Sequence, residues 1–124
     1  MIKTTFAEEV KALPGGEALE MCYSCGTCTS QCMVQLKQEP EYNPRRLLRM
    51  VMMEMRAEAY ANPTTWLCSA CDLCYPACPQ QIHISGVITA VKQIASQNGI
   101  KTPLATSVVN QQTCVACGLC VEVC

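Results

Sequence analysis

Residues 22–32 read Cys-Tyr-Ser-Cys-Gly-Thr-Cys-Thr-Ser-Gln-Cys, and this stretch decides how the chain is built. Its cysteines follow the spacing Cys-x2-Cys-x2-Cys-x3-Cys, which is typical of bacterial-type [4Fe–4S] sites. All twelve cysteines of the 124-residue chain belong to three copies of this spacing. The copies, called here boxes 1, 2 and 3, are Cys22, Cys25, Cys28 and Cys32; Cys68, Cys71, Cys74 and Cys78; and Cys114, Cys117, Cys120 and Cys124. The pattern predicts iron–sulfur clusters and electron transfer, without side-chain catalysts.

The first two boxes predict a pair of [4Fe–4S] clusters with crossed ligands. Three cysteines on one tight loop can bind three iron corners of a cluster, while the fourth ligates the neighbouring cluster. We therefore expect cluster I to be bound by Cys22, Cys25, Cys28 and Cys78. Likewise, we expect cluster II to be bound by Cys68, Cys71, Cys74 and Cys32. Such crossing would tie the two halves of the chain together.

Box 3 has no further box with which to exchange its last cysteine. Cys114, Cys117 and Cys120 have the spacing for a third [4Fe–4S] cluster, but Cys124 is the last residue of the sequence. A ligand at a chain end frays unless it is held in place. Three interpretations stay open: a truncated protein with four boxes, which we favour, a fourth ligand from a partner, or an unusual fourth ligand.

Zinc and disulfides are the alternatives for a cysteine-rich chain. A structural zinc site typically takes its four ligands from two separate Cys-x2–4-Cys pairs. The third and fourth cysteines of each box would then be redundant. Disulfides suit secreted proteins, and the N-terminus lacks the apolar core of a signal peptide. Both alternatives are therefore weaker than iron–sulfur clusters, although a zinc-binding interaction module remains the competing class.

Charge and hydropathy restrict the location and the partners. The sequence pI is near 5.8 and no basic block is present, so nucleic acid is not an expected partner. The longest apolar run, residues 50–53, is far too short to span a bilayer. We expect a cytoplasmic protein without direct membrane insertion, so that any membrane association would run through partner proteins.

Between the boxes the sequence predicts helices and loops. Asn43-Pro44 is a strong helix start, because Asn caps well and Pro suits the first helical position. We expect four features: a helix over 6–13, one from Pro44 to about Ala59 ended by Asn62-Pro63, one over 86–97 capped by Ser85, and a stop at Asn98-Gly99. The fold class is thus mainly α, with a dicluster domain over residues 1–99 and a linker plus partial ferredoxin-like box over 100–124.

Boxes 1 and 2, together with the helix between them, resemble the C subunit of heterodisulfide reductase. The matching stretches are Cys22-Tyr-Ser-Cys-Gly-Thr-Cys-Thr-Ser-Gln-Cys32, Tyr42-Asn-Pro-Arg-Arg-Leu-Leu-Arg-Met50 and Trp66-Leu-Cys-Ser-Ala-Cys-Asp-Leu-Cys-Tyr-Pro-Ala-Cys-Pro79. The resemblance implies an α-helical ferredoxin fold. It also implies a place in an anaerobic complex that passes electrons from a flavin-containing, iron–sulfur A subunit to the B subunit, where heterodisulfide is reduced.

The sequence also departs from that family. Met33 stands where a Pro often follows the fourth cysteine, and box 3 is absent from the usual small C subunit. The chain lacks a Cys-Cys-Gly run and a Gly-x-Gly-x-x-Gly motif. We therefore expect a non-catalytic electron-transfer subunit of an oxidoreductase complex. The alternative is the iron–sulfur subunit of a glycolate oxidase-like, fumarate reductase-like or quinone-linked complex.

A few residues outside the cysteines carry expectations of their own. His83, the single histidine, is expected to be structural. Three arginines, Arg45, Arg46 and Arg49, occupy a helix start, where the helix dipole disfavours cations. They would either offset cluster charge, dock an acidic partner or form a solvated face. Tyr23 and Tyr75 lie inside boxes and are expected to shield the clusters from water.

Overall fold

The computed structural model of the protein describes residues 4–37, 41–104 and 108–123. Within those ranges the backbone forms nine α-helices and a 3₁₀ turn at Leu19–Met21, with no β-strand. The helices are α1 Phe6–Lys11, α2 Thr27–Ser30, α3 Met33–Leu36, α4 Pro44–Met52, α5 Arg56–Ala61, α6 Pro63–Leu67, α7 Cys74–Ala77, α8 Ile84–Gln97 and α9 Leu119–Val123. The predicted mainly-α class is confirmed.

Helix α4 begins where the sequence predicts, at Asn43-Pro44. The Asn43 side chain accepts a hydrogen bond from the Arg46 N–H at 3.0 Å, and Pro44 occupies the first helical position. The Thr29 hydroxyl of α2 also donates to Asn43 Oδ1, at 3.2 Å. One asparagine therefore caps α4 and links it to the helix of box 1.

The predicted single helix from Pro44 to Ala59 is wrong in extent, because the chain turns sharply between α4 and α5. Glu54 lies in the left-handed region, with φ at 60°. The Met55 N–H donates to the Met50 carbonyl at 2.9 Å, and the Glu54 N–H donates to the Val51 carbonyl at 3.2 Å. This pair of bonds is a Schellman ending, with glutamate in the position that glycine usually occupies.

A tertiary contact explains why a glutamate is found at that turn. The Glu54 carboxylate accepts hydrogen bonds from the Phe6 N–H at 2.8 and 2.9 Å. It thereby satisfies a free N–H at the start of α1, 48 residues earlier in the chain. The left-handed conformation costs roughly 1–2 kcal/mol for a non-glycine residue, and this long-range cap offsets the cost.

The signals at Asn62-Pro63 and Ser85 act differently from the prediction. Asn62 ends α5, but its side chain also accepts from the Thr64 N–H at 2.9 Å and so starts α6. Helix α8 begins two residues earlier than predicted, at Ile84, and Ser85 is not its N-cap. The Ser85 hydroxyl instead donates to the Asp72 carboxylate of box 2.

The predicted stop at Asn98-Gly99 agrees with the observed end of α8. Gly99 has φ at 77°, and the Ile100 N–H donates to the Ala95 carbonyl at 3.0 Å. Glycine takes this left-handed position without a steric penalty, so the local sequence suffices to end the helix.

Helix α8 is the centre of the core. It packs against α1, α4, α5, α6 and α7. The largest fully buried side chains come from these elements and from the segments beside them; they are Tyr42, Phe6, Leu19, Leu47, Leu48, Ile82, Ile84, Ile88, Val10, Val51, Val87 and Val91. Removing this apolar surface from water holds the helices together.

Boxes 1 and 2 lie side by side on this core. Helix α2 of box 1 contacts α7 of box 2; α2 also packs on α4, and α7 packs on α8. By contrast, every described residue from 108 to 122 is exposed. The division into residues 1–99 and 100–124 stays a prediction, and the second of these parts includes residues 105–107, which lie outside the described ranges.

Candidate iron–sulfur centres

The first candidate centre is a cavity that contains cysteines from two boxes. Its walls include Cys22, Cys25 and Cys28 of box 1 together with Cys78 of box 2. The space free of atoms is about 330 Å³. Leu48, Ile82 and Ile84 complete an apolar wall on the core side. The structure thus brings together the four cysteines that the sequence assigns to cluster I.

The second candidate centre repeats this arrangement with the boxes exchanged. Cys68, Cys71 and Cys74 of box 2 line a second cavity, in which the space free of atoms is about 320 Å³, and Cys32 of box 1 is the fourth cysteine in its wall. Tyr42 and Ile88 close the inner side. Cys32 is buried and Cys71 is exposed, so the cavity opens toward solvent on the loop side. Cys78 and Cys32 thus each line the cavity of the other box, and their role as crossed cluster ligands stays a prediction.

All three boxes share an unusual backbone conformation. In each box the residue before the second cysteine and the residue after it have positive φ angles. These residues are Ser24 (63°) and Gly26 (85°), Ala70 (52°) and Asp72 (58°), and Ala116 (53°) and Gly118 (79°). Positive φ is uncommon in residues other than glycine, and such strain is typical of functional sites. Loops of this kind turn successive N–H groups toward one point and bind anions, including iron–sulfur clusters.

A hydroxyl in the first cavity supports its fit to a cluster. The Ser24 Oγ is buried and lacks a hydrogen-bond partner among the described residues. It belongs to the wall that contains Cys22 and Cys25. A buried hydroxyl without a partner costs roughly 1–3 kcal/mol, and cluster sulfur is an acceptor that would remove this cost. Four thiols, an anion-binding loop and a free donor together fit a [4Fe–4S] group.

Two of the more buried cysteine thiols in the two cavities have raised pKa values, whereas an exposed one has a lowered pKa. Burial and then the neighbouring Cys68 raise the pKa of Cys74 to about 11. Burial likewise raises the pKa of Cys28. At the solvent edge, hydrogen bonding from the Thr27 side chain, 3.3 Å from the Cys25 sulfur, lowers the pKa of Cys25. The buried ligands therefore release protons when metal binds.

Tyr42 is a site residue that the sequence reasoning missed. Its side chain is 2% exposed and lines the second cavity. Burial, followed by the nearby Cys68 and Cys32, raises the pKa of Tyr42, so the hydroxyl keeps its proton. Tyr42 lies outside the cysteine boxes. Its position directly before the Asn43-Pro44 cap was the available signal.

The tyrosines and the histidine that the sequence singled out lie nearer the surface. Tyr23 is 57% exposed and lines the first cavity, whereas Tyr75 is 44% exposed and is not in the wall of the second. The Tyr75 ring instead packs against His83, with centroids 5.3 Å apart. His83 Nε2 lies 3.1 Å from Asp72 Oδ1, which agrees with a hydrogen-bonded structural role. Tyr42, not Tyr75, covers the second cavity.

Arg45 lies at the first cavity. It is part of the wall, and its guanidinium Nη1 is 3.4 Å from the place where a Cβ on Gly26 would be. Arg46 and Arg49 are exposed on the same helix and are absent from the walls of both cavities. Of the three arginines, Arg45 alone therefore lies in the wall of a candidate cluster site.

Box 3 has the loop conformation of the other boxes but not their surroundings. Cys114, Cys117 and Cys120 are all exposed. Helix α9 begins at Leu119, just as α2 begins directly after Gly26 in box 1. Cys124 lies outside the described residues. Its role as a ligand stays a prediction, as does the third cluster.

Comparison with known proteins decides the family. Residues 18–82, more than half of the chain, match the family model described as a 4Fe-4S dicluster domain. The chain belongs to the 4Fe–4S dicluster family. A second 4Fe-4S dicluster model matches residues 58–124 of this dicluster protein and so covers boxes 2 and 3. Together the two matches confirm the ferredoxin-type assignment and support two [4Fe–4S] clusters as its cofactors.

Several relatives of this dicluster protein are named as C subunits of heterodisulfide reductases. The C subunit of the H2:CoB-CoM heterodisulfide, ferredoxin reductase of Methanothermobacter marburgensis is 32% identical over 82% of this chain and 54% of its own length. A protein named as similar to the heterodisulfide reductase C subunit, from Archaeoglobus profundus, is 32% identical over 73% of this chain and 47% of its own. An iron–sulfur C subunit of the CoB–CoM heterodisulfide reductase of Methanocaldococcus jannaschii is 31% identical over 67% and 43%.

These comparisons confirm the resemblance to the C subunit of heterodisulfide reductase. The chain spans about half the length of the curated relatives that it matches. The family models and the relatives together support an iron–sulfur electron-transfer subunit. Among the described residues, no helix is both long and apolar enough to cross a membrane.

Proposed function

We propose that this chain relays electrons between a flavin/ferredoxin-type subunit and a heterodisulfide reductase B-like catalytic subunit. The observation that carries the proposal is the pair of cavities. Each has three cysteines from the loop of one box and the last cysteine of the other. When bound there, [4Fe–4S] groups supply one-electron transfer, and the chain needs no catalytic side chain of its own.

The protein holds and insulates the two groups. Cys22, Cys25, Cys28 and Cys78 would bind the first, and Cys68, Cys71, Cys74 and Cys32 would bind the second. Apolar walls exclude water from the inner faces, while exposed Cys25 and Cys71 lie at the outer edges. Electrons would enter and leave at those edges, because solvent-exposed edges are where partner proteins can approach.

Partners and location follow from the relatives and remain part of the proposal. The names of the relatives include a heterodisulfide and a ferredoxin. We expect an A-like flavin and iron–sulfur subunit as one partner and a B-like subunit as the other, in a cytoplasmic complex. Box 3 would add a third cluster through Cys114, Cys117 and Cys120, with Cys124, a partner residue or a further segment as its fourth ligand.

Metal content is the first test. The full chain is purified anaerobically, and iron, acid-labile sulfide and zinc are counted per chain. About eight iron and eight sulfide support the two-cluster relay, and about twelve of each support a filled box 3. Stoichiometric zinc with little iron would overturn electron transfer in favour of a structural zinc module.

Electron delivery is the second test. The reduced chain is mixed with a heterodisulfide reductase B-like subunit and CoB–CoM heterodisulfide, and the return of the oxidised cluster absorbance is followed by stopped flow. A quinone analogue with a membrane-linked partner serves as the competing acceptor. The proposal expects fast oxidation only with the B-like subunit. Fast oxidation only by the quinone system would favour the alternative, a quinone-linked or glycolate oxidase-like complex.

A further inference from the structure

The two cavities hold the same set of sulfur ligands but differ in charge. Both contain four cysteines, and the space free of atoms in them is about 330 and 320 Å³. Ligand type and size are therefore closely matched. The walls differ in their hydroxyl groups, since a buried Ser24 hydroxyl lines the first cavity whereas Tyr42 and Ser85 line the second, and they differ in the charged side chain of each wall.

A cation lies at the first cavity. The Arg45 guanidinium sits above Gly26, the residue between Cys25 and Cys28, with Nη1 3.4 Å and Cζ 3.9 Å from the position of a Cβ on that glycine. The buried Pro44 at the start of α4 anchors the arginine in this place.

An anion lies at the same point of the second box. Asp72 follows Cys71 as Gly26 follows Cys25, and both residues have positive φ. The Ser85 hydroxyl donates to Asp72 Oδ1, and His83 Nε2 lies 3.1 Å from the same oxygen. Asp72 therefore places a carboxylate, held by two hydrogen-bonding neighbours, at the loop of the second site.

We propose that Arg45 and Asp72 give the two cluster sites different reduction potentials, with the first site the more easily reduced. This inference rests on the proposed electron-relay function. Reduction adds one electron and no proton to a site, so a nearby cation favours the reduced form and a nearby anion disfavours it. The electron then passes from the reduced second site to the oxidised first site, which is reduced as the second is reoxidised.

The size of the effect follows from exposure. Both side chains are exposed, so solvent and salt weaken their fields. Each charge should change the reduction equilibrium of its own site several-fold and by at most about tenfold, which is about 59 mV for one electron. Arg45 raises the reduction potential of the first site and Asp72 lowers that of the second. Both effects therefore widen the difference between the two potentials.

Two charge-neutral variants test the inference on the full chain with its clusters. Arg45→Gln and Asp72→Asn remove the charge but keep a polar side chain, and Arg46→Gln is the matched control on the same helix. Redox titration monitored by electron paramagnetic resonance gives the potential of each cluster. A Cys28→Ala variant identifies the first site, because its signal should disappear.

The expected results are specific to each site. Arg45→Gln should lower the potential of the first site only, Asp72→Asn should raise that of the second only, and the double variant should bring the two together. Equal shifts from Arg45→Gln and Arg46→Gln, or an unchanged gap in the double variant, would overturn the inference. A chain without clusters would instead refute the proposed function, so the two failures are distinguishable.

Discussion

Double substitution of cysteines tests the crossed ligation by counting iron. The first cavity contains Cys28 and Cys78, whereas Cys74 belongs to the second. Each single change to alanine removes one ligand of one cluster, so each should cost about four iron per chain. Cys28→Ala with Cys78→Ala should still cost about four, because both changes affect one cavity. Cys74→Ala with Cys78→Ala should cost about eight, because each cavity loses a ligand.

The assay is iron and sulfide per chain after anaerobic reconstitution, with Ser30→Ala as a control at an exposed position outside both cavities. Far-ultraviolet circular dichroism shows whether each variant remains helical, since metal binding and folding are coupled. If each cluster were bound by the four cysteines of a single box, the iron losses expected for the two double variants would be reversed. A loss of about eight iron in Cys28→Ala with Cys78→Ala, beside about four in Cys74→Ala with Cys78→Ala, would therefore refute the reasoning.

Three further changes test the local structure around the cavities. Asn43→Ala removes the cap of α4 and the acceptor for Thr29, and should lower the free energy of unfolding by about 0.5–2 kcal/mol; an unchanged denaturation midpoint of the loaded protein would contradict this. Glu54→Ala leaves the Phe6 N–H without its acceptor and should cost about 1–3 kcal/mol, while Glu54→Gly should recover about 1 kcal/mol by relieving the left-handed backbone. Burial raises the pKa of Cys74 from 9.0 to about 11 in the folded apo-protein. The protonated thiol therefore stabilises the folded state fully below pH 9, and this contribution is lost as the pH rises toward 11. Iron binding needs the thiolate, so reconstitution should speed up as pH rises, and a rate independent of pH between about 7 and 9 would argue against buried, protonated ligands.

The helix between the boxes shows where sequence reasoning succeeds and where it stops. Asn43-Pro44 predicts the start of α4 because the cap uses a side chain and an N–H only three residues apart. The turn at Glu54 was missed because the apolar pattern continues through residues 47–55 and no glycine marks the break. Its stabilising contact is with Phe6, 48 residues away, and no local pattern records it.

The same limit applies to the walls of the candidate sites. Tyr42 precedes α4 in the chain and Ser85 lies in the first turn of α8, yet both line the second cavity. Ser85 looked like a helix cap because serine often has that role. Its hydroxyl donates to Asp72 instead, a residue 13 positions earlier.

The order of residues predicts the family, the cofactor type and the three cysteine boxes, because cluster-binding loops depend on cysteine spacings of two and three residues. It also predicts the helix ends at Asn43-Pro44 and Asn98-Gly99, where capping is local. Long-range packing, by contrast, places Arg45 over Gly26 and brings Tyr42 and Ser85 to the second cavity. Those contacts join elements that are distant in the chain, and they arise only once α8 and the helices around it have buried their common apolar surface.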